Sequence, residues 1–97
     1  MYLIFDTETT GLPQNWKAPL TDFNNWPRCV QLAWQTHDKE GKLVEVKNYI
    51  IKPEGYDIPF NAEKIHGIST ERAVKQGMPL QEVLHEFIKD VKASKFI

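Results

Sequence analysis

Phe5-Asp6-Thr7-Glu8-Thr9-Thr10-Gly11-Leu12 is the stretch on which the expected fold of this chain depends. Apolar residues precede it from Tyr2 onward, and Pro13 follows it directly. A short apolar run that ends in polar residues, glycine and proline predicts a strand, here over residues 2–7, buried on both faces within a sheet. Because side chains alternate between the two faces of a strand, the carboxylates at positions 6 and 8 are expected on one face.

Two carboxylates on one face of a strand form a candidate metal site. Asp6 and Glu8 repel each other unless a cation lies between them. Hard oxygen ligands suit Mg²⁺ or Mn²⁺, and two such ions about 3.5–4 Å apart can activate water and stabilise the leaving oxygen in phosphodiester cleavage. Asp6 is expected to bridge both ions and Glu8 to hold one. An isolated Asp-x-Glu is more often a strand end with a solvated charge, so the flanking residues decide the interpretation.

Two more strands and a long loop are predicted after this stretch. Residues 13–27 form the loop, because prolines and several Asn and Asp residues interrupt any regular pattern there. Residues 28–37 alternate between apolar and polar side chains, and residues 43–51 are again rich in strand-forming residues. The residues between them, 38–42, predict a hairpin turn.

The second half of the chain predicts helices. Residues 60–66 predict one or two helical turns that end at a glycine, and Thr70 is expected to cap a helix that runs through Val74. A longer helix follows Pro79, with one apolar stripe at 3.6-residue spacing. The stripe comprises Leu80, Val83, Leu84, Phe87, Ile88 and Val91. Residues 95–97 are expected to begin a further strand, so the predicted fold is α/β and truncated, with later strands absent.

Composition disfavours a protein that coats nucleic acid and leaves a metal-dependent nuclease open. The formal net charge of −1 disfavours a basic stripe for duplex DNA, but divalent cations can supply positive charge locally. No apolar run approaches the roughly 18 residues needed to span a bilayer, so no membrane contact is expected. The single cysteine, Cys29, excludes an internal disulfide and fits a reducing compartment. The cytoplasm is the expected location.

Residues 5–12 resemble the first exonuclease motif of the DnaQ-like, DEDDh-type 3′–5′ exonuclease family, which includes the proofreading epsilon subunit of DNA polymerase III. The segment from Ala62 to Ser69 resembles the family's second recognisable stretch, which ends in His-Gly-Ile and a helix-capping residue. The segment from Gly77 to Phe87 resembles the helix before the second exonuclease motif. The resemblance spans essentially the whole chain, so residues 1–97 are interpreted as the N-terminal portion of a single exonuclease domain.

The resemblance implies a ribonuclease H-like fold and a two-metal-ion 3′–5′ exonuclease that releases nucleoside monophosphates. It implies that Asp6 and Glu8 are catalytic ligands of two Mg²⁺ or Mn²⁺ ions. The implied substrate is a single-stranded DNA 3′ end, with RNA as an alternative, and a DNA polymerase subunit is an implied partner. Leu12 is expected as an apolar wedge beside the terminal bases, and His66 as part of the wall around the last nucleotide. The implied substrate-binding residues are Thr7, Thr9, Thr10, Gly11, Leu12 and His66.

The family also requires two further acidic ligands and a general base, and no matching segment is recognisable in this chain. His85 and Asp90 have the spacing of the family's last motif, but they fall on the helix that should precede the second motif. Five residues at about 100° each place them some 140° apart on that helix. They are therefore interpreted as solvated helix residues.

Several alternatives stay open from the sequence. The chain can be a catalytically incompetent, truncated module that folds or self-associates through an exposed sheet edge, or an RNA exonuclease of the oligoribonuclease type. His66 can be a surface residue that caps a turn. Trp16, Phe23 and Trp26 in the long loop are interpreted as packing anchors of that loop, with stacking on bases as the alternative.

Overall fold

The structure is a computed structural model that describes residues 1–97, and it contains three strands and three helices in the predicted order. The elements are β1 (Tyr2–Thr9), β2 (Cys29–His37), β3 (Leu43–Ile50), α1 (Phe60–His66), α2 (Thr70–Gln76) and α3 (Leu80–Ala93). None of the helices has both the length and the apolar content that crossing a membrane requires. β1 runs two residues further than predicted, so both Glu8 and Thr9 belong to the strand.

The three strands form one antiparallel sheet in the order β1-β2-β3. The predicted hairpin turn joins β2 to β3, and the Asp38 carboxylate holds it by accepting the backbone N–H groups of Glu40 and Lys42 at 3.0 and 2.9 Å. Asp38 thus closes its own turn, which is the usual role of Asp at such positions. The connection between β2 and β3 is therefore local, and β2 is the central strand of the sheet.

Helix α3 covers one face of the sheet. Trp34 of β2 lies in the centre of this contact, 2% exposed, and its ring meets Phe87 of α3 edge-on at a centroid distance of 5.1 Å. The core around it comprises Leu3, Leu32, Trp34, Ile51 and Val83. The alternation predicted for β2 is confirmed, because Val30, Leu32 and Trp34 are all buried. The apolar stripe predicted for α3 is wider than the surface of α3 that contacts the sheet, since Leu84 and Ile88 stay exposed.

Asp90 ties α3 to the sheet, which corrects its interpretation as a solvated residue. One carboxylate oxygen accepts the indole N–H of Trp34 at 2.7 Å and lies 3.4 Å from the Lys47 ammonium. Burial acts to lower the pKa of Lys47, but its hydrogen bond to Asp90 and the nearby carboxylates raise that pKa overall. His85 is exposed and takes no part in this network. The pair therefore forms no catalytic unit, and Asp90 has a structural role.

Helices α1 and α2 pack against the end of the sheet where β1 finishes. Their buried cluster comprises Val30, Ile58, Ala62, Ile68 and Ala73. The side chain of Ser69 caps α2 by accepting the backbone N–H of Arg72 at 3.1 Å. The predicted cap, Thr70, is wrong by one residue, because the Thr70 hydroxyl instead accepts the N–H of Ile58 at 2.8 Å. This bond fixes the segment before α1 against α2.

β1 is not buried on both faces, contrary to the prediction. Its Leu3 side packs under α3, whereas the side that carries Ile4 and Asp6 is open because no helix covers it. The outer edge of β1 is paired only at its start, where Phe96 forms a parallel bridge with Tyr2. The expectation that residues 95–97 begin a strand is confirmed by that bridge. Self-association through the remaining edge stays a prediction.

Candidate functional site

A pocket of about 440 Å³ opens at the C-terminal end of β1, between the segment that follows the strand and helix α1. Ten residues line it: Thr7, Glu8, Thr9, Thr10, Gly11, Leu12, Asn61, Ala62, Ile65 and His66. The structure therefore brings together seven of the eight site residues predicted from the sequence. Asp6 is the exception, since it lies in an adjacent shallow depression with Ile4, Ala33 and Asn48.

The turn at the end of β1 is held by its own threonines. The Thr9 hydroxyl donates to the Gly11 carbonyl at 2.9 Å. The Thr10 hydroxyl accepts the Arg28 N–H at 2.9 Å, and the Thr10 N–H donates to the Arg28 carbonyl at 3.0 Å. Gly11 has φ +151°, a conformation that residues with a Cβ rarely adopt. Because the hydroxyls are occupied in this way, the turn presents mainly backbone to the pocket.

An irregularity in the sheet directs the end of β1 toward α1. Glu8 pairs with Gln31 and Thr9 with Cys29, so Val30 is an extra residue on β2. A bulge of this kind bends the strands and changes the direction of neighbouring side chains, and it is common beside active sites. Val30 itself is fully buried against α1 and α2. The same residue therefore anchors the helices and shapes the strand that carries the carboxylates.

One face of α1 forms the opposite wall of the pocket. Asn61 and Ile65 are four residues apart, as are Ala62 and His66, so all four share a face. Ala62 determines which side of α1 meets the pocket, because it is buried in the cluster that α1 and α2 form at the end of the sheet. Asn61 and Ile65 were not predicted as site residues. The only indication in the sequence was the four-residue spacing within each pair, which places Asn61 and Ile65 beside Ala62 and His66 on the helix.

Two apolar side chains stand on opposite sides of the pocket. Leu12 is 80% exposed and Ile65 is 85% exposed. A single exposed aliphatic side chain is ordinary, but here two of them line one opening. An apolar body, such as a planar base, can be held between them.

Asp6 and Glu8 lie on the open face of the sheet, as the alternation predicted. Their strand partners on β2 are Ala33 and Gln31, which carry no charge. One oxygen of Asp6 accepts the N–H of Thr7 at 2.9 Å, and neither carboxylate forms an ion pair. Positions i and i+2 of a strand are about 6.7 Å apart, which flexible side chains can span around a cation. The donor set fits a hard divalent ion such as Mg²⁺ or Mn²⁺.

The carboxylate pair is not joined by a third ligand. No group of three or more His, Cys, Asp or Glu side chains comes together anywhere in the chain. A cation at this site would therefore take two protein ligands at most from Asp6 and Glu8, and water or substrate oxygens would complete its coordination.

His66 has a defined tautomer at the pocket wall. Its Nδ1 accepts the backbone N–H of Ile68 at 3.1 Å, so in the neutral ring Nε2 carries the proton. That Nε2–H is buried and has no partner in the chain. A buried donor without an acceptor costs free energy, which an oxygen at the pocket wall would relieve.

The three aromatic residues of the long loop are found in two different environments. Trp26 anchors the loop, because its indole N–H donates to the Pro19 carbonyl at 2.9 Å. Trp16 and Phe23 are exposed, so the interpretation of these two as packing anchors is wrong. Cys29, at the base of the loop, is half-buried, and this burial raises the pKa of its thiol.

Comparison with solved structures finds the same fold in exonuclease I of E. coli. The complex of that enzyme with a dT13 oligonucleotide has a TM-score of 0.76 and 22% identity, covering 98% of this chain and 19% of exonuclease I. The complex with a dA16 oligonucleotide has a TM-score of 0.77 and 22% identity, with the same coverage of 98% and 19%. A product-bound structure of exonuclease I has a TM-score of 0.75 and 23% identity, covering 98% and 20%.

This likeness establishes the fold. The predicted α/β fold is confirmed and is shared with part of exonuclease I, and the chain spans about a fifth of the length of that enzyme. No protein-family profile and no curated protein matches the chain. At 22% identity the comparison does not extend to what the chain binds or cleaves.

Proposed function

We propose that this chain carries the 3′-end pocket and the first pair of metal ligands of a 3′–5′ exonuclease. The observation that carries the proposal is the pocket itself. It unites residues 7–12 with one face of α1, it includes Glu8, and Asp6 lies beside it. The residues that resemble an exonuclease motif are thus the residues that form a concave site, on a fold shared with exonuclease I.

The pocket residues divide into apolar and polar contacts. Leu12 and Ile65 would hold the terminal base between them, which requires no particular base because every base offers an apolar face. The turn at Thr9–Leu12 would lie against the sugar of the same nucleotide through its backbone. The buried Nε2–H of His66 would donate to an oxygen of that nucleotide at the pocket wall.

Asp6 and Glu8 would hold the metal ions on the open face of β1. Bound there, divalent ions supply a nucleophilic water and stabilise the leaving oxygen of a phosphodiester. The contribution of the chain is to keep the two carboxylates on one face and free of ion pairs. They would then meet the phosphate of a nucleotide whose base lies between Leu12 and Ile65.

The alternative of a catalytically weak module is favoured by one observation. The chain carries the two carboxylates Asp6 and Glu8, but no group of three or more His, Cys, Asp or Glu side chains comes together in it. Catalytic groups that act as a unit lose most of their effect when part of the unit is missing. We therefore assign binding of the 3′ end to these residues and expect slow hydrolysis from them alone.

DNA and RNA are both candidate substrates of the proposed pocket. The expected contacts at the pocket involve the base face and the phosphate of the nucleotide, which DNA and RNA share. An epsilon-like association with a DNA polymerase is supported only by the resemblance of residues 5–12 to the motif. An oligoribonuclease-like preference would appear as tighter binding of ribonucleotides in the test below.

Titration with deoxythymidine 5′-monophosphate in Mg²⁺ tests the proposal. We expect amide resonances of residues 9–12 and 61–66 to shift in NMR spectra of the isotope-labelled chain, while those of the hairpin turn at 38–42 stay in place. Ile65→Ala removes one apolar wall and is expected to weaken binding roughly tenfold, or about 1.4 kcal/mol. A parallel titration with ribothymidine 5′-monophosphate, which differs only by its 2′-hydroxyl, compares the two sugars.

Val74→Ala is the matched control for Ile65→Ala, because Val74 is an exposed aliphatic residue on α2 that does not line the pocket. It should leave the affinity unchanged. Shifts spread over the hairpin, or an Ile65→Ala variant with wild-type affinity, would refute the pocket assignment.

A further inference from the structure

Two aromatic side chains in the loop between β1 and β2 are left uncovered. Trp16 is 70% exposed and Phe23 is 75% exposed. Exposed rings of this size are uncommon on soluble proteins and mark contact surfaces when they occur together. The nucleotide pocket does not use them, since neither residue lines it.

Their exposure does not arise from a loosely held loop. Asn25 is buried, and its side-chain amide clamps Asn15 by accepting its N–H at 2.7 Å and donating to its carbonyl at 2.9 Å. The base of the loop is closed by the two hydrogen bonds between Thr10 and Arg28. A loop held at both points fixes the backbone that carries the two rings, which lowers the entropy cost of binding.

The clamp also brings the two rings to the same part of the loop. Trp16 follows Asn15 directly, and Phe23 is two residues before Asn25, the partner of Asn15. The loop is continuous with the pocket, because Leu12, one of the pocket walls, is four residues before Trp16. Four residues span at most about 14 Å, so the backbone of Trp16 lies within that distance of Leu12.

We propose that Trp16 and Phe23 form a stacking platform for bases of a single strand, upstream of the nucleotide held in the pocket. This inference rests on the proposed function, which supplies the strand and its 3′ end. Aromatic side chains stack on any base and are therefore tolerant of sequence. Lys17, next to Trp16, and Arg28, at the base of the loop, are exposed cations that can meet phosphates along the same path.

The length dependence of binding tests the platform. Fluorescence anisotropy in Mg²⁺ would compare 5′-labelled dT2 with dT8, each with a phosphorothioate at its last linkage to prevent hydrolysis. We expect dT8 to bind the wild-type chain at least tenfold more tightly than dT2. Trp16→Ala and Phe23→Ala should each weaken dT8 binding roughly 5- to 50-fold and leave dT2 binding unchanged.

Two variants serve as controls. Trp16→Phe keeps a ring and should retain most of the dT8 affinity. Leu20→Ala removes an equally exposed side chain of the same loop that has no ring, and it should bind dT8 as the wild type does. The emission of Trp16 should be quenched by dT8, and this quenching should be absent in Trp16→Ala.

The possible results of these measurements distinguish the proposed stacking platform from the proposed nucleotide pocket. Equal affinity for dT2 and dT8, or a Trp16→Ala, Phe23→Ala double variant that binds dT8 normally, would overturn the platform and leave the pocket in place. Absence of binding by either oligonucleotide, together with no response to the mononucleotide, would overturn both. An effect of Leu20→Ala as large as that of Trp16→Ala would show a general apolar contact, as with a protein partner, and would also overturn the platform.

Discussion

Replacing Asp6 by Asn and Glu8 by Gln in the same chain is expected to abolish the proposed binding of Mn²⁺ at the end of β1. Each substitution keeps the size of the side chain and removes its charge, so the sheet should fold unchanged. Neither carboxylate has a cationic partner in the chain, so both charges are free to bind a cation. Loss of both charges leaves neutral oxygens, which bind hard divalent ions poorly. Either single variant should reduce the affinity at least tenfold.

Paramagnetic broadening by Mn²⁺ measures this effect residue by residue. In the wild type, amide signals from Asp6 to Leu12 should disappear first as Mn²⁺ is added, and in the double variant they should persist. Glu45→Gln is the matched control, since Glu45 is an exposed strand carboxylate on β3 and outside the site. Broadening that persists in the double variant, or that Glu45→Gln removes, would contradict the assignment of the metal site.

Trp34→Ala is expected to lower the free energy of unfolding of the chain by about 3–5 kcal/mol. Truncating a buried aromatic side chain typically costs about 3–5 kcal/mol, and a domain of this size has only about 5–15 kcal/mol of total stability. Trp34 is 2% exposed, contacts Phe87, and donates its indole N–H to Asp90. The substitution therefore opens a cavity in the main core and also removes a link between α3 and the sheet.

Urea denaturation followed by circular dichroism measures the change in the free energy of unfolding. Trp34→Phe retains a ring but loses the donor to Asp90, so it should fall between the wild type and Trp34→Ala. Trp16→Ala is a matched control at an exposed site and should change the stability by less than about 0.5 kcal/mol. A Trp34→Ala midpoint close to that of the wild type would show that the core does not depend on this side chain.

The sequence predicted those features that depend on local pattern. The alternation in β2 predicted which residues face α3, because one face of that strand is fully buried. The hairpin turn and the order of the helices followed from Gly, Asp and helical periodicity. The shared face of Asp6 and Glu8 followed from the two-residue period of a strand. These features are decided within a few residues, so no tertiary information was needed.

Features that depend on packing between distant segments were not predictable. β1 looked like a strand buried on both faces, but burial depends on what covers it, and only α3 does. Thr70 and Ser69 are both good helix caps, and the need of the Ile58 N–H for an acceptor decided between them. Ile65 became a candidate only after Ala62 fixed which face of α1 meets the pocket.

The exposed aromatic residues are a functional feature that could not be predicted from the sequence for the same reason. The sequence does not distinguish the three aromatic residues of the loop, Trp16, Phe23 and Trp26. In the structure only Trp26 donates a hydrogen bond to an acceptor inside the loop. The clamp between Asn15 and Asn25 decides how the loop folds, and it joins residues ten positions apart. Its effect on the neighbouring rings could be seen only in the folded chain.

The most direct test of the central claim is to determine which end of a single strand lies in the pocket. A short dT oligonucleotide that carries a nitroxide on its 3′-terminal base would be compared with one labelled on its 5′-terminal base. If the pocket holds the 3′ end, the 3′ label should broaden amide signals of residues 9–12 and 61–66, and the 5′ label should leave them sharp. Equal broadening by both labels, or stronger broadening of these residues by the 5′ label, would contradict the account.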